Sequence, residues 1–206
     1  MTPLDPGRAA AVLQYWFEGA GDDVEIGRAH RCYRRWFGGG AEVDEEVRRE
    51  FAADMHAARA GACADWTSPD RALALVLLLD QVPRHVYRGD GRAFDSDAAA
   101  LAVARRCLAE GADERLRLIE RVFLYLPIQH SERLEDHDLA LELYDLLARR
   151  AREGGLAIRS FLEAGAQSER EHVDLLRRFG RYPGRNAALG RASTPAELAH
   201  LKAPGA

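Results

Sequence analysis

The chain has 206 residues, 47% of them hydrophobic, enough to bury a sizeable core as one domain spanning 1–206 or as a continuous helical stack. Charged residues make up 30% and nearly balance, at a net charge of −4. This excludes a global field that would draw nucleic acid or an anionic membrane surface, so any basic site is local.

Of 29 basic residues only Lys202 is a lysine, a bias that GC-rich arginine codons explain without function. Cys32, Cys63 and Cys107 are odd in number, lie far apart and lack a C-x-x-C spacing. They predict reduced, mostly buried thiols and neither a disulfide framework nor a zinc site. The opening MTPLDPGRAAAVLQYWF has no basic leader ahead of an apolar run, and no run approaches the roughly 18 apolar residues of a membrane span. A cytoplasmic protein without cofactor or membrane partner is expected.

Asp5 followed by Pro6 is an N-cap and first-turn pair for a helix running to about Phe17. GAGDD at 19–23 interrupts, and a second segment from Ile26 to Phe37 carries Tyr33, Trp36 and Phe37 as core aromatics towards a GGG stop. Asp44 is expected to cap a third helix whose stripe is Val47, Phe51, Met55 and Ala58. Trp66 falls in a loop, and Ser68, Pro69 and Asp70 start a central helix.

Every residue from Leu73 to Leu79 is apolar, so this helix has no face for water and is buried. Pro83 predicts that it stops near Val82. RGDGRAF at 88–94 is turn chemistry, and Asp95 or Ser96 caps a helix from Ala98 to Ala109 that Gly111 ends. A further helix runs from Glu114 through Tyr125, with a kink at Pro127. Ser131 to Arg152 and Leu156 to Phe179 are two long helices; the first is amphipathic through Leu134, Leu141, Leu143, Tyr144 and Leu147. RYPGRNAALGR is a loop with at most one helical turn, and S-T-P-A-E at 193–197 opens a last short helix. The sum is an all-α protein of about eight to nine helices, a bundle or α-solenoid, with no strict 34-residue repeat.

Three constellations carry possible chemistry. Asp80, Gln81 and Arg84 end the most buried element; the acid and guanidinium are i and i+4, so they form an internal salt bridge or face a ligand pocket. In HSERLEDHD, residues 130–138, His130 and His137 would stand two turns apart on a helix, too far for one metal. The i, i+3 or i+4 spacing of metal helices is absent, even with His172 as a distant partner, so no metal is expected. Ser131 is better placed as an N-cap, with Glu132 in the first turn, than as a nucleophile beside His130. RRFGRYPGRNAALGR, residues 177–191, has five arginines and no acid. It suits a phosphate or carboxylate, or neutralisation by the four acids of 132–138, better than RNA, for which its aromatics are too few.

The blocks VLQYWF, RRWFG, LALVLLLDQVPRHVYRGDGRAFDSDAAALAVARR, RVFLYLPIQHSE and RRFGRYPGRNAALGRASTPAE resemble, in order and over nearly the whole chain, a bacterial family catalogued as domain of unknown function 924. The resemblance implies a tetratricopeptide-like, right-handed stack of antiparallel helices and brings no activity with it. Family blocks fall on Asp80, Gln81, Pro83, Arg84, His130, Ser131, Glu132, Arg181, Arg185 and Asn186. The chain departs at His85, where members carry Asn, at Gly184, where they carry His, and at His137, where Gln is expected.

Two functions follow. The first is a non-catalytic helical scaffold with a polar groove that binds a peptide, partner protein or small anion through Gln81, Arg84, Arg181, Arg185 and Asn186. The alternative is a hydrolase-like enzyme with His130 as acid or base, Glu132 or Asp80 orienting it, and arginines holding an anionic substrate. Distance separates them: convergence of His130, Glu132, Asp80 and an arginine in an open pocket favours the enzyme, and arginines consumed by buried carboxylates favour the scaffold. The basic loop is expected to fold over the Asp80/Arg84 end and Glu132, with Arg84 or Arg181 left facing solvent beside His130.

Overall fold

The computed structural model describes residues 3–203, and all their regular structure is helical, with no strand among the described residues. Helix α1 (Pro6–Phe17) begins as its sequence predicts: the Asp5 carboxylate accepts from the Gly7 amide at 2.9 Å, with Pro6 in the first turn. Helix α2 (Arg31–Tyr33) starts later than Ile26, where the His30 imidazole accepts from the Cys32 amide, and runs into a π-helical turn, Arg34–Gly38. That turn buries Trp36 but leaves Phe37 51% exposed, which corrects the expectation of a core residue.

Helix α3 (Gly40–Arg59) buries the predicted stripe Val47, Phe51, Met55 and Ala58. Asp44 is not its cap. The helix starts one turn earlier, and Asp44 is a buried interior acid contacted by His85 at 2.8 Å and by Arg88. The three cysteines are buried and unbridged.

The central element does not stop before Pro83. Helix α4 (Pro69–Val76) continues through a π-helical turn, Leu77–Gln81, into α5 (Val82–Val86). A proline has no N–H for the carbonyl four residues back, here that of Leu79, and its ring crowds that carbonyl. The chain resolves both problems. The Val82 N–H reaches back five residues to the Leu77 carbonyl, opening the turn. The Leu79 carbonyl takes the Ser96 hydroxyl at 2.6 Å instead. Ser96 therefore stands at the N-cap position of α6 (Asp97–Ala109) without capping it. Leu77 and Leu78 are fully buried, as expected of a segment apolar on every side.

Helix α7 (Leu118–Gln129) is helical through FLYLP, with Pro127 inside it, and begins after a 3-10 turn, Ala112–Arg115, rather than at Glu114. The remote Asp22 carboxylate accepts from the Leu118 and Ile119 amides at 3.0 Å each and so fixes that start. Helices α8 (Leu134–Glu153) and α9 (Arg159–Phe179) pack on each other and on α7, and Gly180, at φ 69°, closes α9. Leu134 lies outside the expected apolar stripe and is 42% exposed. Helix α10 (Pro195–Leu201) opens with a capping box between Thr194 and Glu197. One continuous apolar cluster runs from Ala9 in α1 to Ala166 in α9, with the α4–α5 element at its centre.

Candidate functional site

The π turn carries the most buried apolar run directly into Asp80, whose side chain has no exposure. A carboxylate there needs donors for its lone pairs. It has three: His130 Nδ1 at 2.8 Å, Gln81 Nε2 at 2.6 Å and Arg84 Nη1 at 3.2 Å. Burial alone would favour the neutral acid, but the Arg84 charge and the bonds from His130 and Gln81 hold the Asp80 carboxyl well below its usual range.

His130 caps the C-terminal end of α7. Burial first, and then the Arg84 guanidinium, push its pKa down to about 4 against the pull of Asp80. The ring is therefore neutral at neutral pH. Because an ionised carboxylate only accepts, the single ring proton is assigned to Nδ1, and Nε2 carries a lone pair. Nε2 has no hydrogen-bond partner among the described residues, and the ring lines two adjoining clefts.

Most of the arginines around this pair are spent. Arg84 grips Asp97 with two bonds of 3.0 Å each. Arg181 is held by Glu197 at 2.6 and 2.9 Å, not by Glu132. Glu132 accepts from Arg191 at 2.6 and 3.0 Å and from the Tyr182 amide at 2.8 Å, so it does not orient His130. The basic loop thus does fold over the Asp80 end and the 130–132 turn, but neither Arg84 nor Arg181 is left free. Of the other ligand candidates, Gln81 serves Asp80, and buried Asn186 donates to the Ser193 hydroxyl at 3.0 Å.

Arg185 differs. Its guanidinium is sandwiched between the rings of Phe94, at 4.9 Å, and Tyr182, at 4.8 Å, and its side chain is only 15% exposed. Its one ion-pair contact among the described residues is Asp97 at 3.6 Å, already engaged by Arg84, and it makes no side-chain hydrogen bond there. Burial and the nearby Arg84 charge pull its pKa below the ordinary arginine value. Burial, offset by Arg84, leaves the Asp97 carboxyl raised. The two arginines share one carboxylate, and Arg185 is the guanidinium with donors to spare.

Both clefts meet at His130 and Arg185. The larger, of about 490 Å³, lies between α6 and the 130–133 turn. Phe94, Ala98, Leu101, Ala102 and Pro127 form its apolar walls, with Arg105 and Arg133 at its edge. The smaller, of about 300 Å³, is lined by His172, His200, Tyr182 and Gly184 besides the shared pair. Gly184 has no neighbour within 4 Å of where a side chain would start, so a larger residue there would project into open space.

Behind the clefts lies a second acid–imidazole pair. His137 is not above His130 on one helix: the chain turns at 131–133, and His137 enters from α8. Its Nδ1 meets Glu169 at 2.6 Å and its Nε2 the Ser131 carbonyl at 2.8 Å. Burial disfavours its charge, but the Glu169 bond and the Ser131 carbonyl raise its pKa. Ser131 is not the N-cap of α8, which is Arg133; its hydroxyl instead donates to Asp136 at 2.6 Å and accepts from the Arg133 amide. No group of three or more His, Cys, Asp or Glu side chains among the described residues is arranged to hold a metal, and no helix there is long and apolar enough to cross a membrane.

Sequence reasoning did not single out Asp97, Phe94, Arg191 or His200. Asp97 reads as a first-turn acid of α6, which is a sufficient local reason for it. Only the tertiary structure sets it against arginines 13 residues earlier and 88 residues later in the chain.

No curated protein matches the sequence. A solved structure of a protein of unknown function from Agrobacterium tumefaciens, ATU0120, is similar at 29% identity and a TM-score of 0.77. The similarity covers 95% of this chain and 97% of that one. The family described as "Bacterial protein of unknown function (DUF924)" matches residues 12–205, and the chain belongs to that family.

Proposed function

We propose that the protein is a helical scaffold, stacked in the tetratricopeptide-like manner, whose cleft binds a small anionic ligand at Arg185, with Asp80–His130 acting on it as a general base. The observation that carries this is Arg185: a mostly buried guanidinium without a side-chain hydrogen bond among the described residues, beside an imidazole whose outer nitrogen is unpaired among them. A guanidinium has five donors, and those of Arg185 open onto the clefts, where an oxyanion takes several of them at once. A cleft of about 490 Å³ suits a small molecule rather than a protein surface.

Asp80 fixes the Nδ1–H tautomer and orients the ring, and Nε2 is the proton acceptor. An anion docked at Arg185 places negative charge near the ring and raises the His130 pKa from about 4 towards neutrality. Binding is therefore coupled to proton uptake. Sulfate is a suitable probe because its charge is constant across the relevant range. Its affinity is expected to rise as pH falls from neutral towards 5, with proton uptake seen by calorimetry in buffers of different ionisation enthalpy. Arg185→Gln is expected to abolish binding, and His130→Gln to weaken the pH dependence without abolishing binding, since His172 and His200 line the same cleft. Sulfate affinity unchanged in Arg185→Gln would overturn the reading.

A further inference from the structure

From the division of charge between the two clefts we infer the ligand class: an amphiphilic anion whose oxyanion head, a carboxylate or phosphate monoester, sits in the smaller cleft and whose uncharged apolar body lies along α6 in the larger one. This rests on the anion-binding reading above and deepens it.

No carboxylate among the described residues lines the smaller cleft. Its charged and titratable lining is Arg185, His130, His172, His200 and the Tyr182 hydroxyl, and imidazole is never negative. The buried Nδ1 of His172 faces the Glu169 Oε2 at 3.8 Å, and neither atom has a hydrogen-bond partner among the described residues. An oxyanion entering here finds free donors on Arg185 and meets the His130 Nε2 lone pair through the proton taken up on binding.

The larger cleft is the opposite. Its acids are already neutralised, Asp97 by Arg84 and Glu132 by Arg191. Apart from the shared Arg185 at its inner end, its cations are likewise paired, Arg105 with Asp136 and Arg133 with Glu135. The rest of its lining is apolar wall: Ala98, Leu101 and Ala102 on one face of α6, facing Pro127 and Phe94. Alanines on that face keep the trough open. From Ala98 to Arg105 it runs two helical turns, about 10 Å, enough for a medium-length acyl chain or an aryl group. Arg185 and His130 border both spaces, so the junction between head and body lies against Nε2.

The test is a set of binding isotherms on the full chain with inorganic phosphate, butyl and hexyl phosphate, hexanoate and hexanol. Hexyl phosphate or hexanoate is expected to bind more tightly than inorganic phosphate, by roughly two- to fourfold per methylene, and hexanol not at all. Comparing the hexanoate and hexyl phosphate affinities identifies the head. Ala102→Phe, at an exposed position, fills the trough; it should erase the chain-length dependence and leave inorganic phosphate unaffected. Gly184→Asp places an acid in the smaller cleft and should weaken every anion at least tenfold, whereas Gly184→Asn should not. Circular dichroism checks that each variant keeps its helicity.

If chain length has no effect while Arg185→Gln still abolishes phosphate binding, the apolar half is overturned and the anion site stands. If Gly184→Asp binds phosphate normally, the head is not in the smaller cleft. If Arg185→Gln itself binds phosphate normally, the anion-binding reading falls first.

Discussion

Two buried acid–imidazole pairs stand side by side in this protein, built from residues seven positions apart, and they are tuned in opposite directions. His137 has both nitrogens engaged, Nδ1 by Glu169 and Nε2 by the Ser131 carbonyl. Both are then best used as donors, which favours the imidazolium, and the pKa rises. His130 has one nitrogen on Asp80 and the other open, with Arg84 adding positive charge beside it, and its pKa falls to about 4. The first pair is a clamp. By holding the Ser131 carbonyl it sets the turn that carries His130 and Glu132. The second is a base with a ready lone pair. An acid–histidine contact is thus not a function in itself; what the second nitrogen meets decides it.

The largest effect is expected from breaking the clamp. Glu169 is fully buried against His137, and removing one partner of such a pair leaves an uncompensated charge. Glu169→Ala should therefore cost about 3–5 kcal/mol of stability in urea unfolding. A loss below about 1 kcal/mol would mean that His137 is neutral and Ser131 is held by other contacts. Leu77→Ala, in the core behind both pairs, is the apolar benchmark at about 2–5 kcal/mol.

Stability against pH sharpens the contrast, because the two histidines act on opposite limbs. His137 has a raised folded pKa, so its contribution is complete below the unfolded value near 6.5 and is lost as pH rises through the folded value. His130 has a lowered one, so its contribution is complete above about 6.5 and is lost as pH falls towards about 4. His137→Gln should flatten the alkaline limb of the unfolding free energy and His130→Gln the limb between pH 6.5 and 4. Both variants altering the same limb would refute the opposite tuning.

How much of this was legible in the sequence depends on the range of the interaction. Periodicity located the buried Leu73–Leu79 run, and the i, i+4 spacing located the Asp80–Arg84 contact, since both are local. Pro83 misled. Its effect on the helix was read from the backbone alone, whereas the Leu79 carbonyl is rescued by Ser96, 17 residues later. Charge accounting brings the arginine-rich loop to one acid of 132–138, Glu132, while Glu135 and Asp136 pair with Arg133 and Arg105. It named the wrong arginine, because net charge selects a segment and only packing selects the side chain: the Glu197 carboxylate of the α10 capping box claims Arg181 first. The unpaired guanidinium falls to Arg185 for the same reason, through the aromatic pair Phe94 and Tyr182, which no spacing rule connects.

That competition for arginines yields the smallest expected effect. Arg191 and Glu132 are 59 residues apart in sequence and share two short bonds, each partner about three-quarters buried. A double-mutant cycle of Arg191→Ala and Glu132→Ala should give a coupling of about 0.5–3 kcal/mol. The parallel cycle of Arg181→Ala with Glu132→Ala should be additive within about 0.5 kcal/mol, since the Arg181 guanidinium is committed to Glu197 and to the Ala192 carbonyl. Coupling in the second cycle and not the first would reverse the partners. Arg191 would then be the free cation of the loop, and the anion site would have to be sought around it rather than around Arg185. Glu132 also receives the Tyr182 amide, and the Tyr182 ring supports Arg185. Glu132→Ala is therefore expected to loosen the aromatic sandwich and weaken anion binding, even though its carboxylate never touches the ligand, while Arg181→Ala leaves that binding intact.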